Sequence, residues 1–168
     1  MVDTHSRRSY KGMKTYLSTD GTMGVAITQD GDIVSVFSRS KSKGAVNKLI
    51  SFAVANGGRK LDAYAGGLET MYGRLGAKAH ARVAFDDRYK PKGWNGKRYD
   101  VVAMSLPKTL NGVVNAYRND GKLDITEVPY ASDYDSMLAV RDREMGNSRL
   151  GVGLRGGTKP NANSNIVT

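Results

Sequence analysis

Residues 33–58 have the sequence IVSVFSRSKSKGAVNKLISFAVANGG, in which a strand pattern is followed by a helix pattern. The first part, Ile33–Phe37, is rich in β-branched and aromatic residues, which favour a strand. Its alternation predicts Ile33, Ser35 and Phe37 on one face. From residue 45 to 56 apolar residues recur at helical spacing and predict a core-facing helix: Val46, Leu49, Ile50, Ala53 and Val54. Gly57-Gly58 then predicts the end of that helix.

The flanking sequence extends this pattern on both sides. Before it, the turn dipeptides Asp20-Gly21 and Asp30-Gly31 predict an antiparallel meander that begins near residue 16. After it we expect a strand over 61–65, a helix over 68–75, and strands over 77–85 and 99–106, with the odd-numbered residues of 77–85 on one face. The order predicts a mixed α/β (α+β) fold, in which helices lie between the later strands of a mixed sheet.

The chain divides into three segments by composition. Residues 1–15 form a basic N-terminal segment, residues 16–106 hold the predicted α/β domain, and residues 107–168 form a C-terminal extension. Within the extension we expect a short helix over about 133–145, with Ser132 or Asp133 as its cap. From Gly146 the sequence is rich in Gly, Asn and Ser, which is typical of a tail that orders on a partner.

The composition restricts the classes of function. The 168 residues carry a formal net charge of +10, and residues 1–60 hold ten Lys and Arg against four Asp and Glu. A basic front half favours an anionic partner, nucleic acid included. With no Cys and only His5 and His80, thiolate chemistry is excluded and a His-based catalytic site is not expected. The sequence has no membrane-spanning apolar run and no secretory leader pattern, so no membrane partner is expected.

The junction between the strand and the helix is a candidate phosphate site. A polar loop, SRSKSKG, runs from Ser38 to Gly44 and leads directly into the helix. The first N–H groups of a helix lack intrahelical partners and lie at the positive end of its dipole, so they attract anions. The loop matches neither a P-loop nor a dinucleotide fingerprint. A solvated basic turn remains the alternative.

Two motifs at the expected separation resemble the GNAT superfamily of acetyl-CoA-dependent N-acetyltransferases. The first is Arg39-x-x-Ser42-x-Gly44, which is similar to that family's cofactor loop with Ser in place of the middle Gly. The second is Met71-Tyr72-Gly73-Arg74-Leu75-Gly76-Ala77, which matches a later motif in its Tyr and Gly. The chain looks most like small members encoded by bacteriophages and prophages, through stretches such as Lys60–Tyr64 and Arg82–Phe85.

The resemblance implies a GNAT-like mixed, mostly antiparallel sheet with a splayed strand pair and helices packed on it. It also implies the roles of several residues. Acetyl-CoA would be the acyl donor, its pantetheine arm lying where strands 33–38 and 61–65 splay apart. Tyr72 would act as the general acid that protonates the departing thiolate. No metal is implied. The implied cofactor-binding residues are Phe37, Ser38, Arg39, Lys41, Ser42, Lys43, Gly44 and Ala45. The family's Asn before the second helix and its N-terminal helices have no counterpart here.

The remaining candidate residues have structural alternatives. Glu69, one helical turn before Tyr72, and Asp62 are candidate general bases acting through water, although a carboxylate at such a position is usually a surface residue. Tyr72 is equally explained as a core aromatic. We expect His80 on the surface. Trp94 we expect to fold back over the core rather than stack on nucleic acid.

Three functions follow as hypotheses. The first is an enzyme, an acyltransferase that moves an acetyl group from acetyl-CoA to an amine. The second is a catalytically degenerate GNAT-fold protein of a phage particle, with protein partners bound by the C-terminal extension. The third is a basic nucleic-acid-binding protein. The expected location is the cytoplasm of a bacterial host or the phage virion.

Overall fold

The computed structural model describes residues 10–90, 92–94 and 96–146. Within them the chain forms two three-stranded sheets and four helices. The strands are β1 Lys14–Leu17, β2 Met23–Ile27, β3 Ile33–Ser38, β4 Lys60–Tyr64, β5 Lys78–Val83 and β6 Val101–Ser105. The helices are α1 Ala45–Ala55, α2 Leu68–Arg74, α3 Leu110–Arg118 and α4 Tyr134–Glu144.

Both sheets are antiparallel. The first has the order β1-β2-β3 and the second β4-β6-β5, so β6 lies between two strands that precede it in sequence. The α+β prediction and its succession of strands and helices up to β6 are therefore confirmed. The observed ends of most elements differ from the predicted ends by up to two residues. For a strand, the end is defined by hydrogen bonds to the neighbouring strand, which the local sequence does not specify.

The helices cover the second sheet from both sides. Helices α1, α2 and α3 contribute to one buried cluster with one face of β4 and β6, where Leu61 and Met104 are completely buried. Helix α4 packs on the other face, against Tyr64, Ala81 and Ala103. The described part of the C-terminal extension thus supplies one helix to each side of the domain.

A β-bulge corrects the predicted faces of β3. Ile27 pairs with Ile33 but Ala26 pairs with Ser35, so Val34 is an additional residue in β3. A bulge of this kind reverses the alternation beyond it. Ile33 therefore lies with Val36 in the α1 cluster, and the predicted sharing of one face by Ile33, Ser35 and Phe37 is wrong.

A second bulge corrects the predicted faces of β5. Ala79 pairs with Met104 and Ala81 with Ala103, which leaves His80 as the additional residue. Ala79 consequently belongs to the α1 side and Ala81 to the α4 side. The predicted single face of alternating residues from 77 to 85 is wrong, because the bulge lies in its middle.

Helix α3 was not expected from the sequence, whereas α4 was. Thr109 caps α3 by accepting a hydrogen bond from Gly112 N at 3.1 Å. Asp133 caps α4 by accepting from Ser136 N at 2.7 Å, which agrees with one of the two predicted caps. The predicted tail lies outside the described residues from residue 147 onward.

Candidate functional site

Within the described residues, a β-bridge joins the two sheets. Asp32, just before β3, forms a parallel bridge with Lys60, the first residue of β4. Beside it, Gly31 O accepts hydrogen bonds from Arg59 N at 2.8 Å and Lys60 N at 3.3 Å. Beyond this bridge β3 pairs with β2 and β4 pairs with β6, so the two strands belong to different sheets. The junction of the sheets is therefore at the start of both strands and not at their ends.

The loop after β3 presents cations and unpartnered N–H groups together. Arg39, Lys41 and Lys43 are exposed, and none of them forms an ion pair within the described ranges. The first turn of α1 holds no acidic residue. In the part of the chain that the structure describes, the N–H groups of Val46 and Asn47 have no protein acceptor. This is the electrostatic environment of an anion site.

The serines of the loop are used to shape it. Ser38 Oγ accepts from Ser40 N at 3.2 Å, and Ser40 Oγ accepts from Ser42 N at 3.1 Å. Gly44 has φ +80° and acts as the N-cap of α1 without a side-chain cap. A Cβ at Gly44 would meet no atom within 4 Å, so the approach to this helix end is open. Phe37, before the loop, is half-buried and lies over Gly24.

Tyr72 lies on α2 and its side chain is completely buried. Among the described residues, its hydroxyl group has no hydrogen-bond partner. Burial raises the pKa of Tyr72 well above its usual value, and the negative charge of Asp62 makes a smaller contribution in the same direction. A buried hydroxyl without a partner costs free energy, and a phenol held neutral is a hydrogen-bond and proton donor.

The two candidate bases have structural partners. Glu69 Oε2 accepts hydrogen bonds from Gly66 N at 2.8 Å and Gly67 N at 3.0 Å, where the chain enters α2. Asp62 is completely buried on β4, and Tyr134 of α4 donates to it at 3.2 Å. Glu69 therefore stabilises the start of a helix, and Asp62 takes part in the attachment of α4.

The structure brings together polar residues that sequence reasoning missed. Arg141 of α4 is almost completely buried and donates to Asp32 Oδ2 at 3.2 Å and Leu61 O at 3.3 Å. Lys60, equally buried, forms ion pairs with Asp30 at 2.9 Å and Asp142 at 3.1 Å. One pattern in the sequence could have indicated these contacts. Lys60, Asp62 and Tyr64 alternate along β4, so they predict a polar face on that strand.

His80 is buried, so its predicted surface position is wrong. Only 4% of the residue is exposed. Its Nδ1 contacts Glu144 Oε2, and its Nε2 lies 2.7 Å from Ser105 Oγ. No sequence signal identified this, because the bulge in β5 and the packing of α4 together enclose the ring.

Trp94 folds back on the core, as expected. Its ring lies 5.3 Å from Tyr64, 5.5 Å from Phe85 and 6.4 Å from Tyr99, measured between centroids. A cleft of about 700 Å³ lies nearby, between residues 83–88 at the end of β5 and residues 130–135 before α4. None of the residues that line this cleft belongs to the predicted cofactor loop, Ser38 to Gly44.

Comparison of the chain with family models, with curated proteins and with solved structures finds no match. Of the described helices, none combines the length and apolar character needed to cross a membrane. Nor do residues 10–90, 92–94 and 96–146 bring three or more His, Cys, Asp or Glu together as a metal site.

Proposed function

We propose that this chain is an acyltransferase that uses acetyl-CoA as donor and an amine as acceptor. The observation that carries the proposal is the bridge between the sheets at Asp32 and Lys60, because in the described ranges β3 and β4 form no ladder with each other beyond it. Two strands that separate in this way do not form a continuous ladder with each other, although Leu61 O of β4 already accepts a hydrogen bond from Arg141. An extended substrate arm that has amide groups suits this arrangement, because such an arm can pair with the backbone at the edge of a strand.

The start of α1 fits the phosphate groups of such a donor. The N–H groups of Val46 and Asn47 are unpartnered within the described chain, and three exposed cations lie in the loop that precedes them. Phosphate oxygens accept hydrogen bonds and carry the charge that this helix end attracts. The donor supplies a thioester, whose carbonyl carbon is open to attack by an amine. The chain's part is to hold it and to polarise its carbonyl with a backbone N–H.

Tyr72 is the proposed general acid. Its raised pKa keeps the hydroxyl protonated, and in the part of the chain that the structure describes that hydroxyl has no hydrogen-bond partner. The neutral hydroxyl is a hydrogen-bond donor for a leaving thiolate, which a buried site stabilises poorly without a donor, although the raised pKa makes it a weaker acid than an ordinary tyrosine. Glu69 is the weaker candidate for the base, since its carboxylate already accepts from two glycine N–H groups.

Calorimetry with millimolar acetyl-CoA tests the binding step. We expect saturable binding, and we expect the triple variant Arg39→Ala, Lys41→Ala, Lys43→Ala to bind about tenfold more weakly. The matched control removes three exposed cations elsewhere, with Lys108→Ala, Arg118→Ala and Lys122→Ala, and should bind as the wild type does. No detectable heat of binding, or equal weakening in both triple variants, contradicts the proposal.

Tyr72→Phe tests the acid. Turnover should fall by about 100-fold while acetyl-CoA affinity stays unchanged, because the hydroxyl is needed only when the thiolate leaves. The melting temperature should be equal to or above that of the wild type, since the variant removes a buried unpartnered hydroxyl. Tyr117→Phe, at an exposed tyrosine of α3, is the control. An unchanged turnover in Tyr72→Phe assigns the residue to the core.

The same cations motivate the nucleic-acid alternative, which we carry as a second proposal. Binding through phosphate contacts weakens with salt by about 0.9 log unit per log unit of salt for each phosphate neutralised. A DNA titration at several salt concentrations should show that slope and lose part of it in the Arg39, Lys41, Lys43 triple variant. A flat salt response contradicts it. If neither acetyl-CoA nor DNA binds, the proposal that remains is a structural protein of a phage particle.

A further inference from the structure

Three side chains from separate elements form a hydrogen-bonded group at the C-terminal end of β6. Ser105 is the last residue of β6, His80 lies in the bulge of β5, and Glu144 is the last residue of α4. His80 Nε2 lies 2.7 Å from Ser105 Oγ, and His80 Nδ1 contacts Glu144 Oε2. A hydroxyl, an imidazole and a carboxylate in this order are the three parts of an activated nucleophile.

The fold fixes the imidazole between the other two groups. The bulge leaves His80 without a cross-strand partner, so its ring turns toward the α4 side of the sheet, where Ser105 and Glu144 meet it. Bulges beside sites commonly re-aim a side chain in this way. Only 3% of the His80 side chain is exposed, so the ring is held by its surroundings.

The partners of the ring determine its tautomer. A carboxylate only accepts hydrogen bonds, so Nδ1 carries the proton and donates it to Glu144. In the neutral ring Nε2 is then the acceptor, and the Ser105 hydroxyl donates to it. This direction of the hydrogen bonds prepares Oγ to lose its proton to the ring as it attacks a carbonyl carbon.

The surroundings allow access and supply positive charge. Ser105 is half-buried, and 46% of the Glu144 side chain is exposed. Lys78 is the cross-strand partner of Ser105 on β5, so both side chains lie on the same face. Lys78 is exposed and forms no ion pair within the described ranges. In the proposed site this lysine supplies the ammonium group that stabilises an oxyanion formed at Ser105.

We propose that Ser105, His80 and Glu144 form a nucleophilic site that hydrolyses small carboxylic esters, independently of the acetyl-CoA proposal. Ser105 Oγ bonds to the carbonyl carbon and its proton passes to His80 Nε2. The bond from that carbon to the alkoxy oxygen then breaks, and the alcohol leaves with the proton from His80. Water attacks the acyl-serine, gives its proton to His80, and releases the carboxylic acid as Ser105 recovers its proton. Glu144 is a positioning residue for the ring.

A fluorophosphonate probe tests the site in the full-length protein. Ser105 Oγ should displace fluoride and form a stable phosphonyl ester, which peptide mass spectrometry places on Ser105. His80→Gln should lower the labelling rate by about 100-fold, and Glu144→Gln should lower it while the melting temperature stays within a few degrees of the wild type. Ser51→Ala is the control, because Ser51 is a half-buried serine that donates to Asn47 O. It should label as the wild type does.

A second variant keeps the test decisive if Ser105→Ala or His80→Gln unfolds. The chain has no Cys, so Ser105→Cys introduces its sole thiol beside His80. Iodoacetamide should alkylate that thiol at least about tenfold faster than the thiol of Ser51→Cys, because an adjacent imidazole promotes the thiolate. If Ser105 gains no phosphonyl group and the Ser105→Cys thiol reacts no faster than the control, the three residues are a structural hydrogen-bond network and the proposal is overturned.

Discussion

Arg141 shows how a single residue attaches a helix to both sheets. Its guanidinium contacts Asp32 beside β3 and the carbonyl of Leu61 in β4, next to the bridge that joins the sheets. Burial by itself lowers the pKa of Arg141, but Asp32, Asp142 and Asp62 together raise it above its ordinary value. The charge is therefore retained in the interior, where it is stabilised by carboxylates at three places in the chain.

Arg141→Met should destabilise the protein strongly. The substitution keeps an apolar stem but removes the positive charge that faces the buried carboxylate of Asp32, and breaking a buried pair from one side costs about 3–5 kcal/mol. Urea unfolding measures the change in the free energy of unfolding. Arg143→Met, at an exposed position of the same helix, should change it by no more than about 0.5 kcal/mol. Equal effects in the two variants contradict a structural role for the buried charge.

Asp133 gives the stability a defined dependence on pH. Hydrogen bonds from the backbone N–H and the hydroxyl of Ser136 hold the pKa of Asp133 below its usual value. Because the folded-state pKa is the lower one, the carboxylate stabilises the protein above the unfolded value. That contribution is lost as the pH falls through the folded-state pKa.

Asp133→Asn isolates this contribution, since Asn also caps a helix but does not titrate. The melting temperature of the wild type minus that of the variant should be positive at pH 7 and should shrink below a pH of about 4, near the unfolded value for Asp. Thermal unfolding followed by circular dichroism from pH 7 to pH 2 measures it. A difference that stays constant over the range contradicts the assignment.

At the scale of elements, α2 is shaped by what packs on it as much as by its own sequence. Gly73 lies inside this seven-residue helix, where a glycine lowers helix propensity. A Cβ at Gly73 would lie 2.5 Å from Leu123 N and 2.7 Å from Leu123 Cβ. The backbone of the segment after α3 thus occupies the space that any other residue at position 73 needs.

Gly73→Ala should consequently destabilise the protein although it favours the isolated helix by about 1 kcal/mol. We expect a net loss of about 1–3 kcal/mol, because overpacking displaces a backbone segment that cannot rotate away. Thr70→Ala, at an exposed position of α2, should be neutral or slightly stabilising. Chemical denaturation of both variants measures the two effects, and a stabilised Gly73→Ala contradicts the close packing.

The two β-bulges show where element-level reasoning fails. The strands at β3 and β5 were predicted from their composition, but their faces were not. A bulge adds one residue to one strand only, so it exists only in relation to the partner strand. The alternation within each strand therefore predicted the wrong face for Ile33 and a surface position for His80. Because His80 was placed on the surface, its contacts with Ser105 and Glu144 were not predicted.

At the scale of the whole molecule, α4 closes the side of the second sheet that α1, α2 and α3 leave uncovered. Met137 is completely buried there and Leu138 nearly so. The same helix carries Arg141 and Asp142, which pair with groups next to the junction of the sheets. Apolar burial and ion pairs thus make α4 part of the folded domain.

A chain that ends at Ser132 should not fold cooperatively. It loses the burial of Met137 and Leu138, at about 1.5–3 kcal/mol each, together with the partners of Asp32 and Lys60 on α4. The combined loss is comparable to the total free energy of unfolding of a small domain, about 5–15 kcal/mol. Thermal unfolding and binding of a hydrophobic dye measure the loss. The control is a chain that ends at Gly146 and keeps α4, and an equal loss in both chains contradicts a specific role for α4.

Local chemistry was enough to predict most strands and helices, the α+β class, the cap of α4 and the cationic loop before α1, because each depends on neighbours within a few residues. Helix α3, both bulges, the burial of Arg141 and the meeting of His80, Ser105 and Glu144 were not predictable in this way. Each depends on contacts between segments far apart in the chain, such as Arg141 with Asp32. Periodicity in a sequence indicates which face of a helix or strand is apolar. Which other element packs against that face depends on the packing of the whole chain.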